Sequence, residues 1–310
     1  MPFVRPDVAN LLTMLAAQPG PKLSEISPAE GRAMMGGMTQ LLERPRGDIT
    51  VADISIPGPA GAIPARLYTP ETSSGAVVAY YHGGGWVIGD IATHDPLCAE
   101  IARQLGMRVV SIDYRLAPEA PFPAATEDCI AATRWIAGSP AELGGTVTGV
   151  IPAGDSAGGN LAAVVSLELH GEISIPAQWL IYPATDMTWT EGSMAEFADG
   201  YLLTRDSMDW FHSHYMSGAE DKRLHPWASP LHAESLEGLP PAMLFTCGLD
   251  PLRDQGRAYA GRLIESGVRV VYREAAGQIH GCFTLRQGIP SAHDDLTGCI
   301  ADLKLLLAGA

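Results

Sequence analysis

Gly154-Asp155-Ser156-Ala157-Gly158 sets a serine two residues from a glycine on either side. An apolar run, Val147 to Pro152, precedes it with the character of a strand, and a helical run, Asn160 to His170, follows. A serine on so sharp a strand-to-helix turn has its hydroxyl lifted clear of a sheet and placed at a helix N-terminus, where partial positive charge favours a developing anion. Glycines at the flanks relieve the crowding of that strained turn. The chemistry that fits is nucleophilic attack on a carbonyl carbon. Alone the pattern is weak, since a chain with 34 glycines would show it by chance about 0.2 times.

His82-Gly83-Gly84-Gly85-Trp86 supplies the second component. It follows the strand candidate Ala76 to Tyr81, and consecutive glycines let backbone amides approach a substrate closely. The N–H groups of Gly83, Gly84 and Ala157 are therefore the expected oxyanion hole. His82 is expected to orient this loop and Asp155 to support the neighbouring backbone.

A serine hydroxyl is a poor nucleophile near neutral pH, so it needs a base, and the base needs an orienting carboxylate. In strand-turn-helix sites of this kind the chain order is serine, acid, histidine. Of nine histidines, only His280 and His293 follow the last strand candidate. His293 reads as a helix-end residue behind Ser291 as N-cap, whereas His280 stands between Gly277 and Gly281 in a loop, and is the expected base. Asp250, just past the apolar run ending at Cys247, is the expected acid, with a second use as helix N-cap. Asp254, one turn later, and Asp186, after the sixth strand candidate, compete for the role.

Eight strand candidates must hold these groups: Thr50 to Ile56, Ala62 to Tyr68, Ala76 to Tyr81, Arg108 to Ile112, Val147 to Pro152, Gln178 to Tyr182, Ala242 to Cys247 and Arg269 to Tyr272. Helical patterns at about 97–105, 124–138, 157–169, 253–266 and 292–308 separate the later ones, while Pro/Gly turns join the first. The expectation is antiparallel strands leading into a parallel core covered by helices. Ser27, Pro28 and Glu30 open a helix in the first 45 residues with a capping box. Its Met34, Met35 and Met38, together with Trp86 and with Tyr201, Leu202, Leu203, Trp210 and Phe211 of the aromatic-rich stretch 187–226, are the expected walls of an apolar pocket above Ser156.

Composition narrows the classes. At 46% hydrophobic and 18% charged, the 310 residues can build a large core and cannot be a disordered chain. Thirty-five acids against 20 bases leave a net charge of -15, which repels phosphate backbones and anionic lipid headgroups. Neither nucleic acid nor a membrane is an expected partner; a homodimer is compatible with the sequence. No run approaches the roughly 18 apolar residues of a spanning helix, and the N-terminus lacks an export signal, so a cytoplasmic location is expected. The five cysteines show no CxxC spacing and read as buried thiols; no metal site is expected.

HGGGW, then Asp113-Tyr114-Arg115-Leu116-Ala117-Pro118-Glu119, GDSAGGN, Asp250-Pro251-Leu252-Arg253-Asp254 and Ile279-His280-Gly281, in that order across residues 50 to 308, resemble the hormone-sensitive-lipase-like family of α/β-hydrolases. The resemblance implies an α/β-hydrolase fold in one domain, an eight-stranded mostly parallel sheet flanked by helices, with a helical cap from residues 1–45 and 187–226. It further implies carboxylic ester hydrolysis with neither metal nor organic cofactor. The YRLAPE stretch is expected to tie loops together. An amidase or peptidase using the same triad, and a non-enzymatic small-molecule receptor on the same fold, are the rival readings. Soluble esters of short to medium acyl chains are the expected substrates.

Overall fold

The computed structural model describes residues 2–18, 20–73 and 75–309. Helices α1 (Pro6–Ala17) and α2 (Pro28–Leu42) come first, the latter closed by the Ser27–Glu30 capping box. An antiparallel hairpin follows, β1 (Thr50–Gly58) and β2 (Gly61–Thr69). Then come β3 (Ala76–Tyr81), α3 (Ile91–Leu105), β4 (Arg108–Ile112), α4 (Ala124–Ala137), β5 (Gly149–Asp155), α5 (Ala157–Leu169) and β6 (Gln178–Ile181). The stretch after β6 carries α6 (Ser193–Glu196) and α7 (Arg205–Tyr215), and the chain finishes with β7 (Ala242–Leu249), α8 (Arg253–Glu265), β8 (Val270–Ile279) and α9 (Ser291–Ala308).

All eight strands join one sheet in the order β1-β2-β4-β3-β5-β6-β7-β8, and from β4 to β8 every neighbouring pair is parallel. The central strands β3 and β5 are buried on both faces, which is why they read as continuous apolar runs. Alternation along β3 feeds two layers. Val77, Ala79 and Tyr81 pack with α4, α5 and α8, while Val78 and Tyr80 pack with α1, α3 and α9.

Two elements differ most from the sequence expectation, while β5 lies two to three residues later than expected, at Gly149–Asp155. Strand β8 continues to Ile279 instead of ending at Tyr272, because pairing with β7 carries the polar and small residues 273–278 forward, with a register shift between Cys247 and Leu249. Helix α3 starts at Ile91, six residues before the expected start, because the Asp90–Thr93 capping box opens it, and it carries Pro96 within its second turn. Both extensions deliver buried histidines, His280 and His94, to the same end of the sheet. Among the described residues no helix is long and apolar enough to cross a membrane.

Candidate active site

The carboxyl ends of four parallel strands converge: β3 runs into the glycine loop, β5 into Ser156, β7 into Asp250 and β8 into His280. Ser156 has φ 58°, ψ −117°, a sparsely populated backbone region held because its N–H donates to the Ile181 carbonyl and its own carbonyl accepts from Asn160 and Ala184. A side chain at Gly158 would overlap the Tyr81 carbonyl, and one at Gly154 would overlap both that carbonyl and the Gly158 backbone, so both flanking glycines are required by close approach.

The Ser156 hydroxyl lies 2.8 Å from His280 Nε2, and His280 Nδ1 lies 2.7 Å from Asp250 Oδ2. An ionised carboxylate only accepts, so the Nδ1 proton points at Asp250 and leaves Nε2 as the acceptor for the serine proton. Asp250 is fully buried, and its other oxygen accepts the Leu252 N–H at 2.8 Å, which holds the carboxylate plane. It is not the N-cap of α8, a position that Leu252 occupies; the aspartate turns the chain ahead of the helix instead. Tyr182 packs against the imidazole with ring centroids 4.8 Å apart.

The competing residues have other partners. Asp186 accepts from Thr188 and pairs with His232 Nε2 at 2.9 Å, while Asp254 accepts the Ser193 N–H and binds Arg253 and Arg257. His293 lies in the first turn of α9, whose start is capped not by Ser291 but by Asp7, which accepts the Ser291 N–H at 2.8 Å.

The glycine loop departs from expectation at one residue. The Gly83 N–H donates to Asp155 Oδ1 at 2.9 Å, so it is committed to the protein and unavailable to a substrate oxygen. The N–H groups of Gly84, Gly85 and Ala157 make no hydrogen bond among the described residues. Positive φ angles at Gly84 (117°) and Gly85 (59°) give these two residues a backbone conformation open to glycine. His82 donates from Nδ1 to the Gly83 carbonyl at 2.8 Å and stacks on Tyr114; burial, with His94 beside it, pushes its ring down to about 4, so it stays neutral. The YRLAPE residues tie loops: Arg115 clasps Asp128, and Glu119 takes both Nη atoms of Arg32 from α2.

The expected pocket walls divide into two groups. Trp86, Trp210 and Phe211 are buried beside the glycine loop, with Trp86 stacked on Tyr215 at 4.4 Å and the Phe211 ring so close over Gly85 that no side chain could stand there. Met38, Tyr201 and Leu202 are partly buried against the other layer, which contains Tyr182, Phe197 and Phe283. Met34 is 42% exposed on the outer face of α2 and lines nothing. Its neighbour Met35 packs inward with the first layer, because a one-residue step turns a side chain about a quarter of the helix circumference away.

A cavity of about 400 Å³ opens at the opposite end of the sheet, near the starts of β3 to β5, lined by Leu67, Thr69, Arg108 and Leu143. The Arg108 guanidinium there is occupied by the carbonyls of Leu143, Gly145 and Thr146. Among the described residues no cluster of three or more His, Cys, Asp or Glu could hold a metal ion, and all five cysteines are buried thiols.

Residues 78–284 match a family described by its alpha/beta hydrolase fold. The chain is 44% identical over 264 residues to carboxylic ester hydrolase LipN of Mycobacterium tuberculosis, covering 83% of this chain and 70% of the relative. Carboxylesterase NlhH of the same species is 40% identical over 252 residues, 79% of each chain. Among solved structures, an alpha/beta hydrolase enzyme from the metagenome of Lake Arreo superposes with a TM-score of 0.93 at 39% identity, over 99% of this chain and 98% of that one.

Proposed function

Because the chain belongs to the α/β-hydrolase fold family, in its hormone-sensitive-lipase-like branch, we propose that it is a carboxylesterase working through Ser156, His280 and Asp250. The observation that carries this reading is the unbroken hydrogen-bond chain from the Ser156 hydroxyl through both ring nitrogens of His280 to Asp250.

In the first half-reaction Ser156 Oγ bonds to the ester carbonyl carbon as its proton passes to His280 Nε2. The carbonyl π pair moves onto oxygen, where Gly84, Gly85 and Ala157 N–H groups receive it; the last of these opens α5, whose dipole favours the same charge. Collapse of this intermediate breaks the bond to the alkoxy group, which leaves as the alcohol with the proton from His280. Water then attacks the acyl-serine with His280 again as base, releasing the carboxylic acid and restoring the hydroxyl. Asp250 stays ionised throughout and stabilises the imidazolium.

The substrates in this reading are soluble esters of short to medium acyl chain. Phe211 and Trp86 beside the glycine loop, and Tyr182 beside His280, leave apolar but narrow flanks around the serine. A serine-directed phosphonate should inactivate the protein stoichiometrically at Ser156, and Ser156→Ala should lower kcat/KM for p-nitrophenyl butyrate by about 10⁴-fold or more while the protein stays folded. Retention of a tenth of the activity by that variant would reject the nucleophile.

A further inference from the structure

Beneath the glycine loop lies a buried polar cluster that the triad does not use. Asp155, the last residue of β5, is 3% exposed, and its Oδ1 accepts both the Gly83 N–H and the Tyr80 hydroxyl at 2.9 Å. His94, fully buried on α3, brings Nε2 to 3.2 Å from the same oxygen, and its Nδ1 lies 3.0 Å from the Thr93 hydroxyl of the helix cap. The Gly83 N–H also lies 3.3 Å from His94 Nε2, so carboxylate and imidazole meet at the same amide. A buried carboxylate is costly unless paired and hydrogen-bonded, so this arrangement is built to keep a charge in place. Burial alone would push the Asp155 carboxyl up, but His94 and the Tyr80 hydroxyl outweigh it and hold it below the usual carboxylate range.

The glycine loop is fastened on two sides. Its far side is fastened by the Val87 and Ile88 N–H groups on the Gly84 carbonyl, and its near side is fastened by the Asp155 contact to Gly83. Resting on the assignment of Gly84 and Gly85 to the oxyanion, we propose that Asp155 and His94 are positioning residues of the oxyanion loop. They touch no substrate; they fix Gly83 so that the next two amides face the oxygen where charge develops. Such a role acts on the transition state and leaves ground-state binding alone, so its loss falls on kcat rather than KM.

The test is steady-state hydrolysis of p-nitrophenyl butyrate by Asp155→Asn, His94→Gln and His94→Leu, with kcat counted per site titrated by a serine-directed phosphonate and folding followed by circular dichroism. The expected result for Asp155→Asn is a kcat about tenfold or more lower with KM within about twofold, and a parallel fall in the phosphonate inactivation rate. His94→Gln, which keeps a donor towards the carboxylate, should retain more kcat than His94→Leu, and this pair decides the matter if Asp155→Asn does not fold. Unchanged kcat in folded Asp155→Asn, a loss confined to KM, or equal kcat in the two His94 variants would overturn the proposal. Ser156→Ala separates the two readings: activity surviving in it rejects the triad, whereas an inactive Ser156→Ala beside a fully active Asp155→Asn rejects the positioning role alone.

Discussion

In the proposed triad Ser156, His280 and Asp250 are joined by two hydrogen bonds of 2.8 and 2.7 Å, and the assignment of the acid can be tested against its strongest competitor. Asp250→Asn presents an amide where His280 needs an acceptor, favours the other imidazole tautomer and should lower kcat by about 10³- to 10⁴-fold. Asp186→Asn should change kcat less than about threefold, because Asp186 is spent on Thr188 and His232. Comparable losses at both positions, measured with one ester at saturation, would reassign the acid. The motif spacing singled out the serine and the histidine that the fold brings within 2.8 Å, since each sits in a short glycine-flanked segment. Gly83 was misread for a physical reason. Whether an amide is free depends on what lies behind it, and the carboxylate that engages Gly83 comes from Asp155, 72 positions along the chain.

The helices over the site are fastened by polar contacts of very different worth. At the end of α2, Glu43 meets Arg286 at 2.7 Å with both side chains almost wholly buried, and Glu43 also accepts the Arg286 N–H. Glu43→Ala strands that guanidinium in the interior and should destabilise the protein by about 3–5 kcal/mol in denaturant unfolding. A change under about 1 kcal/mol would mean that water reaches the pair. Nearer the start of α2, Arg32 grips Glu119 in solvent and also donates to the Val87 carbonyl of the glycine loop. The hydrogen bonds from Arg32 hold the Glu119 carboxyl down at about 2. A folded-state value depressed below the ordinary one means that the contact contributes fully above the unfolded range and is lost as pH falls from about 4.5 to about 2. Thermal melts of wild type and Glu119→Gln should therefore differ by a small margin at pH 6 and converge by about pH 2; a gap that widens in acid would contradict the ion pair. The Glu43–Arg286 clamp was not visible beforehand, because the two are 243 positions apart and the sequence marks neither as buried; Glu119 was expected to tie loops, but its partner Arg32 was not.

For the molecule as a whole, the expectation that can be measured is substrate size. Phe211 of α7 lies on Gly85, and Gly31 of α2 lies under Trp210 and Ile88, so a helix from before the sheet and one from the stretch between β6 and β7 close over the glycine loop together. Nitrophenyl esters of increasing acyl length should show kcat/KM peaking at short to medium chains, with no jump in rate when substrate passes into emulsion. Long-chain esters outperforming short ones at an oil–water interface would identify a lipase instead. Removing residues 1–45 should cost both activity and stability, since Arg5 binds Asp295, Asp7 caps α9 and Glu43 leaves with them. The alternation of apolar runs and helical patterns was enough to specify the sheet and its mixed direction, and the short motifs singled out Ser156, Asp250 and His280 as candidates, because burial on both faces and sharp turns are local demands on residue type. Which amides stay free, which methionine faces inward and where β8 ends were settled by long-range packing and pairing, whereas the start of α3 rests on a local capping box that the apolar pattern does not show. The first three depend on partners far away in the chain, about which local residue types carry no information.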